Sequence, residues 1–457
     1  MKLYDIPDTQ FSIAIRKFAS SVFYPIFIAL ICYISWAYSL VFLGLWIATA
    51  LFALLMVTQR NSIYVFPILI LIFYIFPDFK EAYYWAGVNL GLCVLAVLYN
   101  IIVYKVKLNK GGLFYPIMAT FFAAAVGGII YTTITYGFVK YIKDTLFILM
   151  LTASFGGGYL FLNNTVSTED IDYKKYISLT FCCLAALLIA EMITYFARAD
   201  NVLEAIKYKT LRVGWGNTNT MATALMLTVP FFLYISTQYR YGAFFLLGAF
   251  LVYGAIWITE SRGCIIASTP ILLFYFIYLA VKSKGFKRYT LITVAAIFVS
   301  AVITLIIVFR SELYELFSKM FAKGLDDTGR VELYQEAWNL FKKHYIFGTG
   351  YFYRTDKTKS FMYMFHSTPL QIMANLGLVG VLAFAYFYYH KYKILFKNLK
   401  SSFGIAIIGS ILSIEIYGLI DVSLVVYYLA ITTILLLIIA QKNIADKNTD
   451  ILRKEND

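Results

Sequence analysis

The sequence predicts an all-α polytopic membrane protein with about 12 to 14 transmembrane helices and one large helical loop on the outer face. Of its 457 residues, 61% are hydrophobic and only 14% are charged, whereas globular chains carry about 25% charged residues. The mean hydropathy is +0.75, and long apolar runs recur along the whole chain. A soluble globular domain, a disordered chain and a disulfide scaffold are therefore excluded.

Most of the apolar runs are long enough to cross a bilayer, which takes about 20 residues of helix. The run at 63–76 is shorter and contains Pro67, so a half-length or re-entrant helix is predicted there. The runs lie near residues 21–40, 41–57, 63–76, 83–104, 113–138, 144–162, 177–197, 220–238, 242–259, 264–281, 290–309, 367–389, 404–420 and 423–440.

Both termini are predicted to be cytoplasmic, because basic residues cluster in short connections on one side of the membrane. One such cluster contains Lys105, Lys107 and Lys110, and another extends from Lys282 to Arg288. The positive-inside rule assigns these connections to the cytoplasm. Topology and contacts with anionic lipids thus explain the net charge of +14, and no nucleic-acid partner is expected.

Two outer connections depart from this rule, because 198–219 and 310–366 both carry many cations. In the longer one, two stripes of apolar residues at helical spacing, separated by Gly324, predict a folded helical hairpin on the outer membrane surface. The first stripe contains Leu313, Leu316, Phe317, Met320 and Phe321, and the second contains Val331, Tyr334, Trp338 and Phe341. The predicted domains are a transmembrane bundle at 1–309, the outer helical loop at 310–366, transmembrane helices at 367–440 and a cytoplasmic tail at 441–457.

His366 is the histidine that the sequence places best for chemistry. It precedes Ser367, Thr368 and Pro369, a pattern typical of a helix start with a hydroxyl cap and proline in the first turn. The positive end of that helix would favour a neutral imidazole and attract phosphate. His366 is therefore either a general base or a histidine that only packs at the membrane interface.

Arginines on the outer side are candidate ligands for an anion. Arg262 lies in a very short turn beside Glu260, so it is either neutralised by that glutamate or kept for an anionic ligand. Arg330 follows Gly329 at the start of a loop helix and also fits an ordinary exposed cation. Further candidate substrate-binding residues, each of which also fits an ordinary structural role, are Arg212, Asn217, Asn219 and Arg354.

Neither a metal nor a cofactor is expected. The cysteines lie in or beside apolar runs, without paired spacing and without a nearby histidine. No two carboxylates have a spacing that suggests magnesium binding or glycoside hydrolysis. The five cysteines are Cys32, Cys93, Cys182, Cys183 and Cys264.

Several short motifs occur in an order that resembles the O-antigen ligase and polymerase superfamily. The resemblance extends over residues 212–385, and the amino-terminal half shares only its hydropathy with the family. In chain order, the motifs are Asn217-Thr218-Asn219, Ser261-Arg262, Gly329-Arg330, Trp338, Gly348-Thr349-Gly350, His366 and Gly377-Leu378-Val379-Gly380.

The resemblance implies a GT-C-like fold and a metal-independent, inverting glycosyltransferase in a bacterial cytoplasmic (inner) membrane. Its donor would be a glycan on a polyprenyl diphosphate such as undecaprenyl diphosphate. Its acceptor would be a hydroxyl of a glycan, lipid or protein on the periplasmic or extracellular face, in lipopolysaccharide or other cell-envelope polysaccharide synthesis. The family's paired arginines fall on Arg262 and Arg330, and its histidine falls on His366. Ser367 departs from the family, which usually has asparagine there.

Two other classes of function remain open. A transporter or flippase for lipid-linked oligosaccharide would also be large, helical and basic, with Glu191, Glu415 and Asp421 as candidates for ion coupling. A membrane scaffold for polysaccharide assembly would be favoured if His366 and Arg262 both tolerate alanine. A new covalent glycan product in liposomes separates a transferase from a flippase.

Overall fold

The computed structural model describes residues 9–74, 83–207, 210–211, 218–239, 242–308, 310–311, 314, 318, 329–354, 363–423 and 427–456. Helices dominate these ranges, and no strand occurs within them. The predicted all-α polytopic fold class is confirmed.

The described helices fall into three groups along the chain. The first group contains α1 (Gln10–Ala19), α2 (Phe23–Ala37), α3 (Val41–Thr58), α4 (Phe66–Leu71) and α5 (Tyr83–Val103), with 3-10 turns at Ser62–Val65 and Ile72–Tyr74. The second group contains α6 (Phe114–Val126), α7 (Ile129–Tyr136), α8 (Phe138–Thr165), α9 (Tyr173–Ala197), α10 (Val202–Lys207), α11 (Thr218–Ser236) and α12 (Gly242–Ile258). The third group contains α13 (Arg262–Lys282), α14 (Gly285–Val308), α15 (Arg330–Lys343), α16 (Thr368–Lys397), α17 (Ser402–Gly418) and α18 (Tyr427–Asn456).

Within the described ranges, nine helices are long and apolar enough to cross a membrane, and a tenth span results if α1 and α2, bent by 75°, count as one. This is fewer than the expected number of about 12 to 14, because four apolar helices are shorter than a full span. The segment near Pro67 is one of them, as predicted. The four are Ser62–Tyr74, Gly87–Val103, Gly242–Ile258 and Ser402–Gly418.

Helix α11 lies at the centre of the bundle, where it packs against α9, α12, α13 and α17. Almost all of its side chains are buried, as expected for a helix that is apolar on every face. Phe231 of α11 stacks on Phe181 of α9, with the ring centroids 4.3 Å apart. At the start of α11, Thr223 Oγ1 lies 3.5 Å from Cys264 Sγ at the start of α13. The amino-terminal ends of α11 and α13 therefore meet at the same end of the bundle.

Helix α16 is broken at Gly377, where φ is 64° and ψ is −156°. The break leaves backbone groups without helical partners, and the segment before α16 supplies new ones. The Leu378 N–H donates to the Tyr345 carbonyl at 2.7 Å, and the Ala374 carbonyl accepts from the Thr349 N–H at 2.9 Å. Irregular backbone inside a membrane bundle is tolerated when other protein groups satisfy it in this way.

The Gly348-Thr349-Gly350 turn of that segment lies directly against the α16 backbone. Gly348 has a φ of 65°, and a Cβ atom there would lie 2.3 Å from the Asn375 carbonyl carbon. The Gly128 N–H, between α6 and α7, donates to the Phe347 carbonyl at 2.7 Å. Residues 345–350, which we name the junction segment, therefore join the outer loop to α16 and to the α6–α7 break.

Of the predicted outer loop, the structure describes chiefly 329–354 and 363–366. Helix α15 confirms the second helix of the predicted hairpin, and the residues of the first stripe, between Leu313 and Phe321, lie outside the described residues. Ala337 is buried, whereas Val331 and Trp338 are exposed. Ala337 and the partly buried Leu340 pack in one cluster with Tyr353 and Phe365, and Tyr334 of the predicted stripe is also partly buried.

Helix α18 continues past residue 440 to Asn456. Asn443 is fully buried, accepts from the Tyr173 hydroxyl at 3.0 Å and donates to Asn398 Oδ1 at 2.7 Å. The predicted tail at 441–457 therefore begins as part of the packed bundle. Its cytoplasmic location and the other domain boundaries stay predictions.

Candidate active site

The turn between α12 and α13 brings Arg262 to the end of the bundle. Glu260 there has a φ of 52°, and the Arg262 N–H donates to the Glu260 carbonyl at 3.1 Å. The next residue, Gly263, has no room for a side chain, because a Cβ atom would lie 2.5 Å from Ile420 Cδ1 and 3.3 Å from Tyr417 Cε2. The backbone beside Arg262 is thus pressed against the segment that follows α17.

His366 lies just before α16 and has a φ of 50°, a conformation that is unfavourable for a residue with a Cβ atom and often marks functional sites. Its neighbours hold it there. The buried Gln371 accepts from the Phe365 N–H at 2.8 Å and donates to the Tyr363 carbonyl at 2.9 Å. The Tyr334 hydroxyl of α15 donates to the His366 carbonyl at 3.0 Å.

Helix α16 starts at Thr368 with proline in its first turn, as predicted, and Ser367 is its N-cap residue. The expected hydroxyl cap is wrong, because the Ser367 side chain makes no capping hydrogen bond. The hydroxyl of Thr368 is used elsewhere. It donates to the Asp421 carbonyl at 3.3 Å and accepts from the Ser423 N–H at 2.9 Å, which fixes the start of α16 against the segment after α17.

Asp421 is the centre of the site. Its Oδ1 atom lies 2.9 Å from His366 Nδ1 and accepts from the Val422 N–H at 2.8 Å. Its Oδ2 atom accepts from the Tyr417 hydroxyl at 2.6 Å. Burial acts to raise the pKa of Asp421, but the hydrogen bond and charge of His366, with the Tyr417 and Val422 donors, outweigh burial and lower it. Asp421 is therefore a carboxylate at neutral pH.

Arg330 approaches the same carboxylate from α15. Its guanidinium Nη2 lies 3.9 Å from Asp421 Oδ2. It is the first residue of α15, after Gly329 with a φ of 65°. A guanidinium has five N–H donors, so one long contact to Asp421 leaves donors for an anion.

Tyr363 ties the segment before His366 to α15. Its hydroxyl donates to Glu336 Oε2 at 2.9 Å. Burial, the hydrogen bond to Glu336 and the charge of Glu336 raise the pKa of Tyr363 to about 12. The phenol keeps its proton at neutral pH, so this contact persists and holds α15 over the site.

The pairing of His366 with Asp421 leaves one ring nitrogen for chemistry. If Nδ1 carries the hydrogen and donates it to Asp421, Nε2 keeps a lone pair that can accept a proton. The His366 side chain is 37% exposed, whereas that of Asp421 is 12% exposed. A ligand can therefore reach the imidazole while the carboxylate stays behind it, which is the arrangement of a base and its orienting partner.

A groove leads from this site between α16 and α17. It has a volume of about 460 Å³. It begins at Thr368 and Ser423 and ends at Tyr392 and Glu415, with apolar side chains along most of its length. Glu415 is held there by Lys391 and Tyr392.

Three of the predicted site residues lie near one another in the structure. His366 and Arg330 both contact the Asp421 carboxylate, and the backbone next to Arg262 packs against Tyr417 and Ile420. Arg212 and Asn217 lie outside the described residues.

The other two predicted substrate-binding residues, Asn219 and Arg354, both lie in the described ranges. Asn219 lies in the first turn of α11, where its carbonyl accepts from the Thr223 hydroxyl at 2.7 Å. Arg354 is exposed, and its carbonyl accepts from the Tyr136 hydroxyl at 2.9 Å. Their role in substrate binding stays a prediction.

Asp421 is the site residue that sequence reasoning missed, because it appeared only as a candidate for ion coupling. A signal was present, since Asp421 comes just after an apolar run that ends on the same predicted face as His366. Within the described ranges, no three His, Cys, Asp or Glu side chains are grouped closely enough to hold a metal ion.

Residues 244–385 match the family model described as O-antigen ligase. The matched region contains Arg262, Arg330 and His366 but ends before Asp421, and it begins after Asn219. A comparison with curated proteins finds no match. The resemblance predicted from the sequence is confirmed over the matched residues, and it supports a membrane ligase or polymerase of the glycosyltransferase type.

Proposed function

We propose that this chain is a metal-independent, inverting glycosyltransferase of the O-antigen ligase or polymerase type. It moves a glycan from a polyprenyl diphosphate to an acceptor hydroxyl at the outer face of a bacterial cytoplasmic membrane, with both termini in the cytoplasm. The observation that carries the proposal is the contact of His366 and Arg330 with one carboxylate, Asp421. A base and a cation thus meet at the end of an apolar bundle that contains an O-antigen ligase match.

His366 acts on the acceptor. Its Nε2 atom removes the proton of the attacking hydroxyl, and the imidazolium that forms is stabilised by Asp421 at 2.9 Å. Asp421 does not itself take the proton. It positions the ring, because its Oδ1 contact fixes which nitrogen is free.

Arg262 and Arg330 act on the donor. Cleavage of the glycosyl–phosphate bond builds negative charge on the departing lipid diphosphate, and positioned guanidinium groups stabilise that charge. Arg262 and Arg330 are the first residues of α13 and α15, so the positive ends of two helices add to their field. Inversion follows because the hydroxyl attacks the anomeric carbon from the face opposite the diphosphate.

The groove between α16 and α17 suits the lipid part of the donor. At one end of the groove, the Thr368 hydroxyl donates to the Asp421 carbonyl at 3.3 Å and lies 3.2 Å from the Ser423 hydroxyl. The apolar walls of the groove offer an isoprenoid chain a path from the site into the membrane. A single polyprenyl diphosphate donor would thus place its diphosphate group at the arginines and its isoprenoid chain in this groove.

Replacing Arg330 with alanine is expected to lower the transfer rate by about 10²-fold, because one donor to the developing negative charge is lost. Arg330→Lys keeps the charge but loses the planar pair of donors, so it should recover only part of the rate. Initial rates of glycan transfer in proteoliposomes measure both variants. Lys342→Ala, which removes an exposed cation from the last turn of the same helix, is the matched control. Equal losses in Arg330→Ala and Lys342→Ala would contradict a specific role for Arg330.

Filling the groove is expected to weaken use of the lipid donor. Ala385 lines the groove, and Ala385→Trp should raise the KM for a long-chain donor by about tenfold. Leu382→Trp, at an exposed position outside the groove lining, serves as the control and should behave like the wild type. A donor with a short lipid chain should be affected less than the long-chain donor. An equal effect on both donors would argue against the groove as the lipid site.

The function itself is tested with the purified full chain in liposomes that contain a lipid-diphosphate-linked glycan and an acceptor. We expect a new glycosidic product together with free lipid diphosphate. A change in the leaflet that exposes the donor, without any new covalent product, would favour a flippase instead.

A further inference from the structure

Glu191 of α9 is a buried carboxyl group that the proposed transfer does not use. Its side chain is 0% exposed, and neither carboxyl oxygen has a hydrogen-bond partner among the described residues. The other two acidic residues considered for ion coupling have hydrogen-bond partners. Glu415 accepts from Lys391 and Tyr392, and Asp421 pairs with His366.

Among the residues that the structure describes, no cation is paired with Glu191. Helix α9 packs mainly against α2, α4 and α11. The titratable side chains that interact electrostatically with Glu191 are Cys32 of α2 and Tyr74 of the 3-10 turn after α4. Thiol and phenol groups are uncharged at neutral pH in their ordinary state. Within the described ranges, no ion pair to Glu191 is recorded.

A buried carboxylate without a cation or a hydrogen-bond donor is costly inside a membrane bundle, and the group avoids this cost by keeping its proton. We propose that Glu191 is a proton-binding site and the bundle carboxyl that an apolar carbodiimide modifies. In that reaction, the acid proton moves to a carbodiimide nitrogen and a carboxyl oxygen bonds to the central carbon. The acyl group then shifts to nitrogen and gives a stable N-acylurea, so that no group leaves.

The protonated state is tested by infrared spectroscopy of the purified full chain in lipid nanodiscs at neutral pH. The wild type should show the C=O band of an un-ionised carboxylic acid, and Glu191→Gln should lose it. Glu415→Gln is the matched control and should keep the band, because Glu415 is paired with Lys391. A wild-type spectrum identical to that of Glu191→Gln in this region would overturn the proposal.

Modification is tested with dicyclohexylcarbodiimide and peptide mass mapping of the wild-type chain. The adduct should appear on the peptide that contains Glu191 and be lost in Glu191→Gln. If Glu191→Gln does not fold, the wild-type map alone decides. Adducts on other peptides with none on the Glu191 peptide would overturn the proposal. Neither measurement depends on glycan transfer, so failure of the proposed function leaves this test intact.

Discussion

Replacing His366 with alanine is expected to lower kcat for glycan transfer by about 10²- to 10⁴-fold, the range that a positioned general base contributes. The imidazole is 37% exposed and paired through Nδ1 with Asp421, so its loss removes the proton acceptor without opening a core cavity. Donor affinity should change little, because the arginines hold the diphosphate. Single-turnover transfer with a labelled donor, together with donor binding, separates the two effects.

His344→Ala is the matched control for this measurement. His344 lies at the end of α15 on the same outer segment, with its ring 4.8 Å from Tyr131, and no contact joins it to Asp421 in the structure. Its variant should transfer at close to the wild-type rate. If His366→Ala folds, binds the donor and also transfers at close to the wild-type rate, the imidazole has no part in the mechanism.

Replacing Asp421 with asparagine is expected to lower kcat by about 10³- to 10⁴-fold, as when the orienting carboxylate of a base is exchanged for an amide. Asparagine has nearly the same shape but can donate to Nδ1, which would leave the proton on Nε2. The ring would then present the wrong nitrogen to the acceptor. Tyr417→Phe is the comparison, because it removes one donor to Oδ2 and keeps the His366 contact to Oδ1. Its loss should be much smaller, and similar losses in both variants would contradict the positioning role.

The pH dependence of stability gives Asp421 a readout that is independent of transfer. Because the folded-state pKa is lowered, the contacts of Asp421 stabilise the fold fully above the ordinary carboxyl pKa of about 3.9. This contribution is lost as the pH falls through the lowered value. Asp421→Asn removes the titrating group, so its Tm should fall less than that of the wild type on acidification. Parallel Tm curves would show that Asp421 does not titrate as described.

The bundle could be predicted from the sequence because burial in lipid selects apolar residues along each span. The start of α16 at Thr368 followed from local rules, since proline suits the first turn of a helix. Its break at Gly377 did not follow, because it depends on partners about 30 residues earlier in the junction segment. Three of the four short apolar helices, all but the one near Pro67, were counted as full spans because hydropathy alone does not locate helix ends.

The site was predictable only in part. His366, Arg262 and Arg330 could be named because each is a cation or histidine on the predicted outer side. Asp421 lies 55 residues from His366 in sequence, and only the fold brings the two together. The missing cap by the Ser367 hydroxyl was unpredictable for the same reason. The start of α16 is fixed by the hydrogen bond from the Ser423 N–H to the Thr368 hydroxyl, and Ser423 is distant in sequence.

The junction segment constrains any exchange of outer loops between related enzymes. Gly348 and Gly350 contact the α16 backbone at Asn375, and Gly128 binds the carbonyl of Phe347. A chimaera that transplants 329–354 alone would set a foreign turn against these backbones, where even one extra methyl group has no space. Recombination that exchanges this loop should therefore move the loop, the first half of α16 and the α6–α7 corner together as one cassette.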